Sequence, residues 1–369
     1  MYRQTWMEID LDAIADNIKA IKNHCRKKII AVLKADAYGC GDIQVARTVM
    51  EAGADMIAVS SLDEAMMLRN QGYKKELLIL GATDPADIDI MIQNNISATA
   101  YSTKWVKGVT SWNCNGLRVH LKVETGMNRI GFRDIEELKK AKGLLMLRGC
   151  SLDGIFTHFA KADTDRDMTQ KQFERFEAAV KAMDYPFRWI HCDNSDASLW
   201  FRDPLSNACR VGISMYGYSS VTDRLKPALG LYTKIFMVKQ LGPGEPVGYG
   251  STYVTSGDEL IATAPIGYAD GFIRANQGRK VLVDNVMAEV VGRVCMDQVM
   301  LKLPESRPEG SLVEIFGKHI PLQQMAEELN TIPYEIICLI SGRVTRIYIK
   351  NGERAEEANE RLTKSSVNG

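Results

Sequence analysis

Residues 29–39 have the sequence IIAVLKADAYG, in which an uninterrupted apolar run ends at Lys34. A short run of this kind is typical of a strand that is buried on both faces, as in a parallel sheet. A lysine at the mouth of such a strand is a candidate amine nucleophile, because desolvation lowers its pKa and exposes the lone pair that forms Schiff bases. The competing interpretation is an ordinary lysine whose ammonium group points into water.

The composition is that of a folded protein without a dominant charge. Of the 369 residues, 46% are hydrophobic, and 46 lysines and arginines balance 46 aspartates and glutamates. This balance provides no field that would attract nucleic acid or a membrane surface, so a small neutral or zwitterionic substrate fits better. Because the sequence shows neither a secretory signal nor an apolar stretch long enough to span a bilayer, we expect a cytoplasmic protein without a membrane partner.

The cysteines predict neither a metal site nor a redox motif. They lie far apart and form no C-x-x-C pair, so reduced thiols are expected. The eight are Cys25, Cys40, Cys114, Cys150, Cys192, Cys209, Cys295 and Cys338.

Apolar runs recur along the first two thirds of the chain and alternate with segments of helical spacing. Strand and helix alternating eight times predicts an α/β fold with an N-terminal (β/α)8 TIM barrel, whose active site lies at the carboxyl ends of the strands. A doubly wound open sheet is the alternative, but no G-x-G-x-x-G follows the first run. The eight runs are 29–33, 55–59, 77–80, 96–100, 117–123, 152–157, 188–191 and 208–213.

The pattern changes after about residue 233, where short β-type runs are separated by turn signals. These runs predict a mainly β C-terminal domain. One helical stretch, 322–329, interrupts it, and residues 343–350 are expected to form a last strand before a polar tail. The β-type runs are 233–240, 260–265, 280–283, 288–294, 299–303 and 312–316.

If the barrel is correct, polar residues that end or follow its strands converge on one mouth. After the eighth strand, Gly212 and Gly217 permit a loop whose backbone N–H groups approach a phosphate, and Ser195 can add a hydroxyl. The alternative is that both glycines only allow a tight turn. A Schiff-base lysine opposite a phosphate site is the arrangement that pyridoxal 5'-phosphate requires. The converging residues are Lys34, Tyr38, Lys122, Arg129, His158, His191, Asn194, Ser195 and Arg210.

Seven motifs make the chain resemble the bacterial alanine racemases, which are fold type III pyridoxal phosphate enzymes. They occur in the family's order, and the resemblance runs from about residue 5 to residue 350. The motifs are residues 5–10 (TWMEID), 33–39 (LKADAYG), 122–131 (KVETGMNRIG), 156–160 (FTHFA), 247–250 (VGYG), 267–271 (GYADG) and 292–298 (GRVCMDQ).

The resemblance implies a two-base racemisation of L-alanine to D-alanine with pyridoxal 5'-phosphate. Lys34 would hold the cofactor and act as one base, and Tyr249 would be the other. Cofactor-binding roles are implied for Tyr38, His158, Asn194, Ser195, Arg210, Gly212 and Ile213. Substrate-binding roles are implied for Arg129, Tyr268, Met296 and Asp297, and Lys122 matches a position that is carbamylated in some members.

The resemblance also implies a homodimer with composite active sites, in which the partner subunit supplies Tyr249. The expected division is residues 1–12 as a strand joining the β domain, 13–232 as the cofactor-binding barrel and 233–369 as the β domain. The product D-alanine would supply peptidoglycan synthesis for the cell wall.

The sequence departs from the family pattern at Gly342, where many members carry a tyrosine that reaches the cofactor phosphate. The smaller residue predicts a larger pocket, so the alternative function is a racemase of serine or of several small amino acids. A cofactor carrier without catalysis and a barrel-type decarboxylase are further alternatives. The β domain with Tyr249 argues against the first, and Arg210 in place of a carboxylate argues against the second. Asp193 and Asp196 add negative charge beside Ser195 without a sequence-level explanation.

Overall fold

The computed structural model of the protein describes residues 2–359 and divides into two units. The first takes in the chain up to Ala13, the segment Tyr38–Gly41 and the chain from Pro227 onward. The second takes in Ile14–Ala37 and Asp42–Lys226. Among residues 2–359, no helix is both long and apolar enough to cross a membrane.

The second unit is a closed barrel of eight parallel strands, which confirms the predicted barrel. Each of the eight apolar runs contributes one strand, and nearly every strand position is buried. Ile30 pairs with Met56 of the next strand and with Arg210 of the last one, which closes the ring. In chain order the elements up to residue 226 are β1 (Thr5–Asp10), α1 (Leu11–Cys25), β2 (Lys28–Val32), α2 (Lys34–Gly39), α3 (Asp42–Glu51), β3 (Met56–Val59), α4 (Leu62–Asn70), β4 (Leu77–Ile79), α5 (Ile88–Gln93), β5 (Ile96–Ala100), α6 (Thr103–Thr110), β6 (Arg118–Lys122), α7 (Ile135–Leu147), β7 (Ser151–Phe156), α8 (Arg166–Met183), β8 (Trp189–His191), α9 (Ala197–Trp200) and β9 (Ala208–Val211).

Helix α8 shows how the sequence forms the outer layer of the barrel. Asp165 caps its N-terminus by accepting a hydrogen bond from the Met168 N–H at 2.9 Å, which satisfies one of the orphan donors of the first turn. Its buried residues recur at a spacing of three and four, so one stripe faces inward. They are Thr169, Gln172, Phe173, Phe176, Ala179, Val180 and Met183.

The first unit contains a mainly β domain, as predicted, built on a ten-stranded sheet. Strand β1 lies inside this sheet, antiparallel to one neighbour and parallel to the other. From β1 the sheet extends through β10, β18, β15, β16, β17 and β14 to β11 on one side, and through β19 to β20 on the other. The remaining elements are β10 (Leu229–Lys234), β11 (Met237–Leu241), β12 (Pro246–Val247), β13 (Tyr253–Val254), β14 (Glu259–Ala264), β15 (Lys280–Val283), β16 (Val286–Val291), β17 (Val299–Leu303), β18 (Leu312–Phe316), α10 (Leu322–Glu328), α11 (Pro333–Leu339), β19 (Thr345–Lys350) and β20 (Glu353–Ala358).

Three details of this unit correct the sequence prediction. The run at 233–240 belongs to two strands, because Ile235 and Phe236 interrupt it. A second helix, α11, follows α10. Strand β20 (ERAEEA) forms where a polar tail was expected, because it pairs with the edge of β19 and leaves its charged side chains in solvent. Residues 360–369 of the expected tail lie outside the described residues.

The barrel interior carries a pair of histidines, His120 on β6 and His191 on β8, both fully buried. His120 Nδ1 lies 3.0 Å from His191 Nε2. The strand between them, β7, carries Gly154, and a Cβ atom built there would lie only 2.4 Å from His120 Nδ1. The absent side chain at 154 therefore makes room for the imidazole of His120.

We expect Gly154→Ala to destabilise the protein, because the added methyl group must displace the His120 ring in a packed interior. Overpacking of this kind costs about 1–3 kcal/mol, and it should appear as a lower thermal unfolding midpoint. Gly143→Ala is the matched control, because nothing lies within 4 Å of the added atom in the exposed middle of α7. A midpoint for Gly154→Ala at or above that of the wild-type protein would contradict this packing.

Candidate active site

Lys34 lies two residues beyond the end of β2 and begins α2, a single left-handed turn. Ala35, Asp36, Ala37 and Tyr38 all have left-handed backbone angles, with φ between 51° and 62°. Such angles are unfavourable for residues with a Cβ atom, by about 1–2 kcal/mol each. Strained backbone of this kind persists where the surroundings over-determine it, which often happens at functional sites.

Hydrogen bonds hold both ends of this turn. Within the second unit, the Ala35 N–H donates to Glu64 Oε1 at 2.8 Å, and Tyr216 Oη donates to the Ala37 carbonyl at 2.5 Å. Within the first unit, Arg346 donates to the Gly39 carbonyl through Nε at 3.0 Å and through a terminal nitrogen at 2.8 Å. The sequence analysis missed Glu64, Tyr216 and Arg346, because their partners are distant in the chain and are backbone atoms.

Tyr38 itself belongs to the first unit, where its buried ring lies 5.9 Å from that of Tyr334. Burial raises the pKa of the Tyr38 phenol, so it remains a neutral hydroxyl at physiological pH. Gly342 lies in the turn before β19.

Arg210 on β9 places a fully buried positive charge in the barrel. One terminal nitrogen donates to His191 Nδ1 at 2.8 Å, and the other donates to His158 Nδ1 at 3.1 Å and to the Thr157 carbonyl at 2.7 Å. Burial lowers the pKa of Arg210 to about 10, so the guanidinium still carries its proton near neutrality.

The two imidazoles that accept from Arg210 are neutral. Burial and then the charge of Arg210 lower the pKa of both His158 and His191 well below the usual value. Because Arg210 donates to their Nδ1 atoms, each neutral ring carries its proton on Nε2. The sequence analysis placed His191 at the barrel mouth without a role, and the structure makes it a partner of Arg210.

Ser195 and the loop after β9 are joined by hydrogen bonds. Ser195 Oγ accepts hydrogen bonds from the N–H groups of Gly212, at 2.9 Å, and Ser214, at 3.5 Å. Ser214 Oγ is buried and has no hydrogen-bond partner within residues 2–359. An orphaned hydroxyl beside Ile213 and converging N–H groups fits a phosphate group.

Asn194 lies in the loop after β8. Its Oδ1 accepts a hydrogen bond from the Ala197 N–H at 3.0 Å, at the first turn of α9. Asparagine commonly binds backbone N–H groups in this way. Its cofactor contact stays a prediction.

Lys122, at the end of β6, is a buried lysine in a positive environment. Its Nζ donates to the Val123 carbonyl at 3.1 Å and lies 5.2 Å from the centre of the Phe156 ring. Burial and, next, the charge of Arg210 lower the pKa of Lys122 to about 7. Near neutrality Lys122 therefore loses its proton far more readily than an ordinary lysine does.

Arg129 lies in the exposed loop that follows β6. Glu124 shapes this loop by accepting hydrogen bonds from the N–H groups of Gly126, at 2.5 Å, and Arg129, at 3.4 Å. The structure thus leaves the guanidinium of Arg129 accessible at the barrel's loops.

The carboxylates of Asp193 and Asp196 have partners within the barrel unit, which explains their presence beside Ser195. Asp193 pairs with Lys27 Nζ at 2.7 Å, and the same ammonium lies 2.6 Å from Asp203. Asp196 accepts from Ser219 Oγ at 2.7 Å. Lys27 therefore occupies the centre of an acidic group that would otherwise resemble a metal site, and the negative charge near Ser195 is compensated.

The first unit holds the other predicted site residues. Tyr249 is 70% exposed and follows Gly248, whose φ of 73° favours glycine. The loop of Tyr268 and the loop of Met296 are joined by two backbone bonds, one from the Tyr268 N–H and one to the Met296 carbonyl. Met296 and Asp297 are also exposed, so these side chains lie on an accessible surface of this unit.

We expect Lys27→Met to destabilise the protein by about 3–5 kcal/mol, because it leaves two buried carboxylates without their partner. Urea unfolding followed by tryptophan fluorescence measures the loss. Lys226→Met is the matched control, since its pair with Asp16 is exposed and worth at most about 1 kcal/mol. Equal unfolding midpoints for the two variants would contradict the assigned role of Lys27.

Comparison with known proteins assigns the chain to a family. The model of the alanine racemase N-terminal domain matches residues 9–220, and that of the C-terminal domain matches residues 228–348. The alanine racemase of Geobacillus kaustophilus is 41% identical over 376 residues, covering 97% of this chain and 98% of its own. Alanine racemase of Bacillus anthracis, solved with bound L-Ala-P, has a TM-score of 0.94 at 39% identity, covering 98% of this chain and 99% of its own. The alanine racemase of E. faecalis has a TM-score of 0.90 at 40% identity, and the match covers 94% of this chain and 99% of its own. The chain therefore belongs to the alanine racemase family and is an amino-acid racemase.

Proposed function

We propose that this racemase interconverts L-alanine and D-alanine with pyridoxal 5'-phosphate bound in its barrel, and that Lys34 and Tyr249 transfer the protons. The observation that carries the proposal is Lys34 at a strained barrel turn, in a chain whose barrel also holds a buried arginine and an anion-binding loop. Alanine as the substrate is supported by curated relatives of 38–42% identity, each named an alanine racemase. A serine-accepting racemase, the alternative suggested by Gly342, is not favoured by these relatives.

The barrel residues fit this cofactor. The hydroxyl groups of Ser195 and Ser214 and the backbone of Gly212 and Ile213 are proposed to hold its phosphate, which would replace the present bond from the Gly212 N–H to Ser195 Oγ. Among residues 2–359 the buried Ser214 hydroxyl has no partner, so it can donate to a phosphate oxygen. Tyr38 is proposed as a further hydroxyl donor to the phosphate, and Lys34 as the amine that binds the cofactor aldehyde. When bound, the cofactor makes the α-hydrogen of an attached amino acid acidic.

Arg210 is proposed to face the pyridine nitrogen of the cofactor. Its pKa of about 10 means that it donates a hydrogen bond but seldom a proton near neutrality. Such a donor would leave that nitrogen without a proton, which would restrain electron withdrawal and disfavour side reactions such as transamination. His158 holds one terminal nitrogen of Arg210 and is proposed to support its orientation.

Racemisation requires proton removal on one face of the α-carbon and proton return on the other. We assign these steps to Lys34 and to Tyr249, which need positive surroundings or burial to reach suitable pKa values. Arg293 lies beside the Tyr249 turn, because a Cβ atom at Gly250 would be 3.0 Å from its guanidinium. Arg129 is proposed to bind the substrate carboxylate, and Tyr268, Met296 and Asp297 to shape the substrate entrance.

We propose a homodimer in which each copy supplies Tyr249 to the other's site. Support comes from exposed large side chains on the first unit, which a second copy would cover. They are Tyr249, Val254, Tyr268 and Met296. The proposed compartment is the cytoplasm, where all eight cysteines would remain reduced as in the structure, and D-alanine would supply peptidoglycan synthesis.

The proposal is tested with purified protein, the cofactor and L-alanine, read out by chiral chromatography. Lys34→Ala is expected to abolish racemisation and the yellow colour of the bound cofactor. Tyr249→Phe should lower kcat by about 10²–10⁴-fold, because one of the two proton-transfer groups is lost. Solvent deuterium should still enter the α-position of one enantiomer, since Lys34 remains.

The control for the tyrosine is Tyr2→Phe, which removes the hydroxyl of another exposed tyrosine of the same unit and should leave kcat unchanged. Wild-type racemisation by Tyr249→Phe in both directions would exclude the two-base assignment.

Lys122 is proposed to react with carbon dioxide, which gives a carbamate and releases a proton. Only the neutral amine reacts, and burial has moved the pKa of Lys122 from 10.5 down to about 7. Carbamylation should therefore increase as the pH rises through about 7, long before ordinary lysines become neutral. With ¹³C-bicarbonate, a carbamate resonance is expected in the wild-type NMR spectrum above this pH and should be absent from Lys122→Met. The same resonance in both proteins would assign it to another lysine.

A further inference from the structure

Gln172 lies on the buried stripe of α8, and both the oxygen and the nitrogen of its side-chain amide make hydrogen bonds. It is 1% exposed. Its Oε1 accepts from the Ala160 N–H at 2.8 Å, and its Nε2 donates to the His158 carbonyl and to Thr125 Oγ1, each at 3.2 Å. Because a backbone N–H can only donate, the bond from Ala160 fixes which end of the amide is the oxygen.

The hydrogen bond to Thr125 is the first of a series that runs through two threonine hydroxyl groups. Thr157 Oγ1 donates to the Val123 carbonyl at 2.9 Å, because a carbonyl can only accept. Its own acceptor position is then filled by the hydroxyl of Thr125, at 2.7 Å, which in turn accepts from Gln172. All three side chains are buried, so every donor in the chain has one acceptor and the direction is fixed.

This network joins the two loops that carry proposed site residues. Thr125 lies in the loop after β6 that leads to Arg129, and residues 157–160 begin the loop after β7, which carries His158. Arg175, one turn further along α8, also donates to the Thr125 carbonyl at 2.9 Å. The carbonyl of Thr157 accepts from Arg210, so the network reaches the buried cation as well.

We propose that Gln172 is a positioning residue for racemisation, which sets the loop of Arg129 relative to the loop of His158 from the outside of the barrel. The proposal rests on the roles assigned above to Arg129 and His158. Gln172 acts through the loops and touches neither substrate nor cofactor. Its loss should affect substrate binding first, because Arg129 is proposed to hold the substrate carboxylate and lies in the exposed part of this loop, between Glu124 and Phe132, whose backbone bonds hold the base of the loop.

The test uses Gln172→Met, which keeps the length of the side chain but removes all three hydrogen bonds. Loss of a buried bond network of this kind should raise KM for alanine roughly tenfold, while kcat falls by less than about threefold. Amide exchange in segments 125–131 and 157–161, followed by mass spectrometry in the absence of substrate, should accelerate about tenfold. Gln170→Met on the same helix is the control, because Gln170 is exposed and its side-chain amide donates along the helix surface to Glu174.

Gln172→Glu keeps an acceptor for the Ala160 N–H but loses the amide donor. It should retain slow exchange at Ala160 and still show the raised KM, and it keeps the proposal testable if Gln172→Met does not fold. Unchanged KM in both variants, with faster exchange in Gln172→Met, would overturn the positioning role. If the wild-type protein itself does not racemise alanine, the proposed function fails, and the exchange data still decide whether Gln172 joins the two loops.

Discussion

The buried guanidinium of Arg210 is the charge on which the barrel's polar interior depends. Removing such a charge from water is costly unless hydrogen bonds replace the lost hydration. Here the acceptors are backbone carbonyls and two imidazole nitrogens rather than carboxylates. A carboxylate partner would neutralise the cation, whereas neutral acceptors hold it in place and leave its charge to act on whatever binds beside it.

The same charge influences the protonation of the neighbouring side chains. Because Nδ1 of His191 accepts from Arg210, its proton lies on Nε2, which donates to Nδ1 of His120. The proton of His120 therefore lies on its own Nε2, and this atom has no hydrogen-bond partner within residues 2–359. The room for His120 comes from Gly154 on the strand between them. Burial and, next, the charge of Arg210 lower the pKa of Lys122. The buried arginine thus accounts for the tautomers of its histidine neighbours and contributes to the unusual acidity of Lys122.

The sequence predicted which polar residues lie at strand ends, and it missed the contacts that depend on distant partners. The positions of Lys34, Ser195 and Arg210 followed from the apolar runs, because a barrel brings the ends of its strands to one mouth. Lys27 is 166 residues from Asp193, and no local pattern joins them. Gln172 resembles a helix surface residue in sequence, since only the tertiary packing of α8 shows that its amide faces the loops.

The left-handed turn after Lys34 could not have been predicted either, and its strain has a structural explanation. Residues 35–38 contain no glycine, so nothing in their sequence favours positive φ. The turn exists because Glu64 and Tyr216 bind its first part, while Arg346 and Tyr348 bind the carbonyls of Gly39 and Cys40 that follow.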